Sequence, residues 1–151
     1  MKPSTRAAPT GRVLGVDLGE RRIGLARSDE LGMLASEFQV LARATPKEDA
    51  THLRAIIKEH AIVRVVVGLP TSMRGEIGWQ AQRTQTWVDA VRAALGVPTT
   101  YWDERLTTVE AERAMQFAGI RAKHRRERID MTAAAVMLQS YLDYQRRASH
   151  A

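Results

Sequence analysis

The 151-residue sequence contains no cysteine. That excludes disulfides and cysteine-bound metal, and it makes a reducing compartment the simplest setting. No apolar run approaches the roughly 18 residues that a membrane span needs. No apolar segment follows Lys2 and Arg6, so no signal peptide is expected. There is no P-loop, no repeat and no low-complexity segment. Aromatic residues make up 5% of the chain, and none forms an obvious platform for stacking single-stranded bases. These absences leave a soluble cytoplasmic protein with no membrane partner. Its length suits one domain, which buries about 68–70% of its unfolded surface and needs no staples.

What is present is positive charge. Lys and Arg number 23 against 17 Asp and Glu, a net charge of +6. That balance favours a polyanionic partner over a neutral one. Residues 1–11 hold two prolines and no periodic apolar pattern, and read as a flexible tail before a domain over 12–147.

The domain is organised around Val13 to Ser28. Val13–Val16 and Ile23–Ala26 are short apolar runs with Gly19 in the turn between them, the pattern of a β-hairpin. Asp17 stands at the end of the first strand. Val13, Gly15 and Asp17 share one face of the pleat, and Leu14, Val16 and Leu18 the other. Gly15 leaves a gap on the face of the acid, a mark of close approach by another backbone or a ligand. Ser36–Leu41 reads as a third strand. Thr45, Pro46 and Glu48 then open a helix, with a cap, a proline suited to the first turn and a capping box. His60 ends that helix and has no partner at metal-ligand spacing. Val63–Val67 is a buried strand, ended by Gly68-Leu69-Pro70, and the strand–helix–strand order implies a parallel pairing. Thr71–Gly78 is a polar loop at a strand's carboxyl end, where open α/β sheets place their sites. A helix over Trp79–Leu95 places Trp87 on its apolar stripe and stops at Gly96. Thr99–Trp102 is the fifth strand. A second capping box at Thr107–Glu110 opens a helix that Gly119 ends, and the last helix starts near Ile129-Asp130 and runs to about Arg146.

Three acidic points stand out: Asp17, the Asp103-Glu104 pair after the fifth strand, and Asp130. On a helix Asp130 shares a face with Ala133, Ala134, Met137 and Tyr141, so its carboxylate looks toward whatever the helix packs on. Carboxylates buried together need a compensating cation. Hard cations such as Mg²⁺ take oxygen ligands, and two of them about 3.5–4 Å apart can clamp both oxygens of a phosphodiester displacement. Asp17, Glu104 and Asp130 are expected to converge at one end of the sheet, with Asp103 the reserve for the middle acid. A nucleic-acid binding module without catalysis is the competing reading, since binding alone needs only basic surface.

Four stretches resemble the YqgF/RuvX family. They are Gly15-Val16-Asp17-Leu18-Gly19 with Arg22–Ala26, Val66–Pro70 with Gly75, Asp103–Ala111, and Ile129–Ala135 with Leu138–Leu142. Together they span about Val13 to Asp143. The resemblance implies an RNase H-like α/β fold: a five-stranded mixed sheet, its first three strands antiparallel, flanked by helices on both faces. It implies a metal-dependent nuclease using Mg²⁺ or Mn²⁺, acting on structured RNA or branched DNA. Family members are described as Holliday junction resolvases, and some are assigned to maturation of the 5′ end of 16S rRNA precursor. Carried over by motif, the catalytic and metal-binding acids are Asp17, Glu104 and Asp130. Glu20 stands where the family more often has Thr or another small residue, and Arg21 where Lys is common. An ATP-handling protein of the related actin-like fold is the weaker alternative, because the chain is too short for a second lobe. A junction resolvase would need two active sites, hence a homodimer.

Candidate nucleic-acid contacts are Arg21, Arg22, Arg74, Arg105, Arg121, Lys123, Arg125, Arg126 and Arg128. The last five crowd the segment before Asp130 and read as a basic loop, which a phosphate backbone would neutralise with release of counterions. Changing Arg125 and Arg126 together to Ala is expected to flatten the salt dependence of nucleic-acid binding by up to about two units of slope. Folding should be nearly unaffected, within about 0.5 kcal/mol per exposed site. Binding titrations across a range of salt concentrations measure this, and an unchanged slope would remove the segment from the interface.

Overall fold

The computed structural model of the chain describes residues 11–71, 78–107 and 125–149, with side chains in the last stretch from 129 onward. Five strands form one sheet: β1 (Arg12–Leu18), β2 (Arg22–Ser28), β3 (Ala35–Ala42), β4 (Ile62–Leu69) and β5 (Thr99–Asp103). Their order is β3-β2-β1-β4-β5. β1 pairs antiparallel with β2, and β2 with β3. β4 joins β1 and β5 in parallel. β1 is therefore the central strand. Its residues Val13, Leu14 and Val16 are buried on both faces, as an apolar run without alternation requires. The edge strand β3 alternates more and carries a register break opposite Leu25/Ala26, which blunts the edge.

Two helices cover one face. α1 (Pro46–Glu59) is capped by Thr45, whose Oγ1 accepts from the Glu48 amide at 3.2 Å, and His60 ends it. The His60 ring packs edge-on against Phe38, with centroids 4.8 Å apart, and its Nδ1 lies 2.7 Å from Arg27 Nη1. α2 (Trp79–Leu95) ends at Gly96, with φ 75°. Leu53, Ile57, Trp87, Val88 and Val91 close this core layer over Leu14, Val16, Leu25, Val65 and Val67. Trp87 is core, and its indole N–H donates to the buried Asp49 carboxylate at 3.0 Å, with Asp49 also taking the Ala44 amide at 2.9 Å. The polar end of the indole is thereby satisfied inside the layer.

The last helix, α3 (Arg125–Ser149), covers the other face and is the helix there among the described residues. Ala134, Met137, Leu138, Tyr141 and Leu142 pack on Val13, Ala26, Val66 and Trp102. Ala133, read as part of this face, is exposed, because the buried stripe is centred on Ala134, Leu138 and Tyr141. α3 also begins earlier than its first apolar residue. Arg125, Arg126 and Arg128 belong to a helix, where the sequence reading had placed a loop. Arg and Glu are strong helix formers, so nothing in that run interrupts the helix. The helix expected from Thr107 to Gly119, the loop residues 72–77 with Gly75, and the tail residues 1–10 lie outside the described residues.

Two glycines set how near α3 can come. A Cβ on Gly15 would lie 2.9 Å from Leu138 Cβ, and one on Gly24 would overlap the Asp130 carbonyl oxygen. Gln139 fixes the far end: it accepts from the Ala35 amide at 2.8 Å and donates to Met33 O at 3.0 Å. Gly24→Ala must therefore push the start of α3 off the sheet. It is expected to lower stability by about 1–3 kcal/mol, the usual range for overpacking. Urea denaturation reads this as a lower midpoint at unchanged slope. An unchanged midpoint would contradict the close approach.

Candidate active site

The acids meet where β1, β4 and β5 end and α3 begins. Asp17 is the penultimate residue of β1, and Gly24 of β2 is its cross-strand partner. Because Gly24 has no side chain, the first described turns of α3 settle on it and bring Asp130 beside Asp17. Glu104 follows β5 directly, as the first residue of a 3₁₀ turn, Glu104–Leu106. Its Oε1 sits over Gly68 of β4, 3.0 Å from the place of a Cβ, so that glycine too makes room for an acid. Three elements distant in sequence thus deliver three carboxylates to one corner.

Their electrostatics are those of like charges held together out of water. The Asp17 carboxyl is pushed up to about 6, first by burial and then by the charges of Glu104 and Asp130. Glu104 is raised as well, by burial and by Asp103 next to it. Asp103 goes the other way. Its oxygens take Arg105 Nη2 at 2.6 Å, Arg105 Nε at 3.0 Å, the Arg105 amide at 2.9 Å and the Thr71 hydroxyl at 2.7 Å. That shell, led by the Arg105 side chain, holds its carboxyl below the usual carboxylate range. Of the two consecutive acids, Asp103 is consumed in structure and Glu104 is left to face Asp17.

Asp130 has a resident partner. Arg22 Nε donates to its Oδ2 at 2.7 Å across a sequence separation of 108 residues. Among the described residues no set of three or more His, Asp or Glu side chains is arranged as a metal cage. The donor chemistry still fits a hard cation, since the converging groups are all carboxylate oxygens. Asp17, Glu104 and Asp130 would hold such an ion, with Asp130 exchanging Arg22 for it.

The predicted basic contacts divide. Arg21 is exposed in the β1–β2 turn. Arg22 and Arg105 are engaged with Asp130 and Asp103. Arg74, Arg121 and Lys123 lie outside the described residues, as do the side chains of Arg125, Arg126 and Arg128. Glu20, the residue unusual for the resemblance, is exposed and pairs with Arg83 at 3.6 Å. An open cavity of about 480 Å³ runs beside the acids, and its walls include Asp17, Glu104, Arg43, Trp79 and Arg83. The last three were not singled out from the sequence. The signal available was Trp79's place after Gly78 at the start of α2, off the apolar stripe.

A family model described as "RuvX: Holliday junction resolvase" matches residues 11–144. The chain belongs to the RuvX family. A protein of Halothermothrix orenii named "Putative pre-16S rRNA nuclease" is 42% identical to this RuvX-family chain over 136 residues, covering 90% of this chain and 97% of that one. A protein of Roseiflexus sp. with the same name is 46% identical over 137 residues, covering 90% and 96%. The solved structure of Thermus thermophilus RuvC in complex with Holliday junction substrate matches with a TM-score of 0.62 at 17% identity, covering 91% of this chain and 96% of that one. The architecture is thus RNase H-like, and the RuvX family is one of nucleases, hydrolases of phosphodiester bonds.

The raised Asp17 carboxyl has a consequence for stability. The folded chain holds this proton more tightly than the unfolded chain does. Its favourable contribution is therefore full below about 3.8 and lost as the pH rises through about 6. In metal-free protein Asp17→Asn, which cannot ionise, is expected to raise the melting temperature by several degrees at pH 8 and leave it nearly unchanged at pH 4. Thermal unfolding in chelator at both values tests this, and an equal effect at the two would remove the charge repulsion.

Proposed function

We propose that this protein is a metal-dependent nuclease of the cytoplasm that hydrolyses phosphodiester bonds in structured nucleic acid, with the 5′ end of precursor 16S rRNA as its substrate. The observation that carries the reading is the convergence of Asp17, Glu104 and Asp130 on one corner of the sheet, two of them with raised carboxyl pKa values. A module built only to bind a polyanion gains nothing from acids in its basic surface, because each repels phosphate. The names carried by the 42% and 46% identical relatives support the rRNA substrate. The family description supports a second substrate, the Holliday junction, and that activity would need two copies of the chain to cut two strands.

In this reading Asp17, Glu104 and Asp130 would hold Mg²⁺ or Mn²⁺, with Asp130 exchanging Arg22 for the ion. Bound there, the ion would supply an activated water and neutralise charge that develops on the phosphate. Arg22, displaced from Asp130, remains within reach of a substrate phosphate as a monodentate or forked donor. Asp103 and Arg105 stay paired and fix the turn that aims Glu104.

The test sets purified protein with Mg²⁺ or Mn²⁺ against a precursor rRNA 5′ segment and a four-way DNA junction, side by side. Cleavage of the rRNA segment is expected, and Asp17→Asn should reduce it by at least about 100-fold, the loss typical of removing one electrostatic stabiliser, while binding survives. Cleavage of the junction alone would shift the assignment to the second substrate. Cleavage that survives in chelator would overturn the metal-dependent mechanism.

A further inference from the structure

The cavity beside the acids has a second wall that the nuclease reading leaves without a task. Trp79, the first residue of α2, keeps 60% of its surface exposed. The other two tryptophans, Trp87 and Trp102, are 3% and 7% exposed and belong to the two core layers. Leaving an indole in water forgoes the burial that stabilises its counterparts. One turn further along α2, the Arg83 guanidinium lies over the Trp79 ring, 5.1 Å from its centroid. Arg83 also reaches Glu20 at 3.6 Å, a partner that is itself exposed and exchangeable. Arg43 donates to Gly19 O at 3.0 Å, which holds its guanidinium at the same cavity. The cavity lined by Asp17 and Glu104 is therefore also lined by an indole and two cations.

We infer that this wall is a seat for an unpaired nucleotide, with a base stacked on Trp79 and its flanking phosphates taken by Arg83 and Arg43. The inference rests on the nuclease reading and deepens it, because it gives the strand beside the acids a single-stranded form. Bases within a duplex are already stacked on one another and hidden from an aromatic side chain. Bases of a single strand have free faces, and both indole and guanidinium planes accept them. The arginine over the ring keeps the indole from collapsing onto the protein and adds a cation where phosphate must arrive. A single-stranded segment threaded between this wall and the acids would present a phosphodiester to Asp17 and Glu104. Glu20 is its competitor for Arg83, and must yield when the phosphate enters.

The experiment uses the full chain in chelator, so that binding is read without cutting. The probes are a short oligouridine, an abasic strand of the same length and a blunt RNA duplex, and the readouts are affinity and tryptophan emission. Oligouridine is expected to quench the emission, and the abasic strand is expected to bind without quenching. Trp79→Ala should weaken oligouridine binding about tenfold and Trp79→Phe should restore most of it, with the duplex affinity changing by less than about twofold. Quenching should vanish in Trp79→Phe, since the remaining tryptophans are buried. Unchanged oligouridine affinity in Trp79→Ala, an equal loss on the duplex, or quenching that persists in Trp79→Phe would each overturn the seat. Failure of the parent protein to cleave any substrate with Mg²⁺ or Mn²⁺ would overturn the nuclease reading instead, and it leaves these binding results standing.

Discussion

Repulsion among carboxylates in one poorly solvated corner is the constraint on which the site depends. Asp17, Glu104 and Asp130 cannot all be charged there without compensation. The fold answers each acid differently. Arg22 neutralises Asp130, burial and neighbouring charge keep the Asp17 proton on to about pH 6, and Glu104 is raised in the same sense. Asp103 lies one residue from Glu104 and is fully ionised under the grip of Arg105 and Thr71. Two adjacent acids of similar chemistry are thus driven in opposite directions, Asp103 by its hydrogen bonds and Glu104 first by burial.

Bringing such charges together needs a stiff frame, and the frame is made of missing side chains. Gly15 and Gly24 let α3 lie against β1 and β2, and Gly68 clears the place of the Glu104 carboxylate. Ala134 continues the close contact along the helix. Gln139 then ties α3 to the start of β3, so the helix cannot slide along the sheet without breaking two hydrogen bonds. Strand ends and a long helix carry the acids, and such elements hold a constellation more tightly than loops do. The same rigidity makes the repulsion unavoidable, since the corner has little freedom to relax.

The strands, the cap of α1 and the three acidic points were legible in the sequence because each is a local pattern, whereas the choice of Glu104 over Asp103 came only from the family resemblance. Apolar runs gave β1, β2 and β4, and the Thr45-Pro46-Glu48 signal gave α1 with its cap where expected. The gap at Gly15 was legible as a close approach, although the residues that fill it, Ala134 and Leu138, lie more than a hundred positions away. Contacts of that range decide what was not legible. Nothing near Arg22 announces that its partner is Asp130, and nothing in Asp103-Glu104 says which acid the following arginine will take. The start of α3 was missed for another reason. Four consecutive charged residues look like a solvated loop, yet each is a good helix former, and backbone propensity prevailed over the charge pattern. Trp79 carries no periodic signature as a lone aromatic at a helix start, and only the fold shows that it lines the cavity of the acids.

On the proposed nuclease reading, the Arg22–Asp130 pair would also link substrate binding to assembly of the acid set. Arg22 occupies one of the three carboxylates, with Nε 2.7 Å from Asp130 Oδ2. The pair is partly exposed, with side-chain exposures of 40% and 24%, so it is weakly held and can exchange partners. On that reading, a phosphate reaching Arg22 would compete with Asp130 for it, and a divalent ion at Asp17 would compete with Arg22 for Asp130. Each arrival would favour the other: an arginine drawn to phosphate would free the third carboxylate, and a carboxylate drawn to metal would free the arginine. Substrate and metal would then bind with positive coupling, and by linkage the coupling is the same in both directions. Protons enter the same balance. Below about pH 6 a proton on Asp17 relieves the repulsion, and on the proposed reading it would compete with metal for the corner.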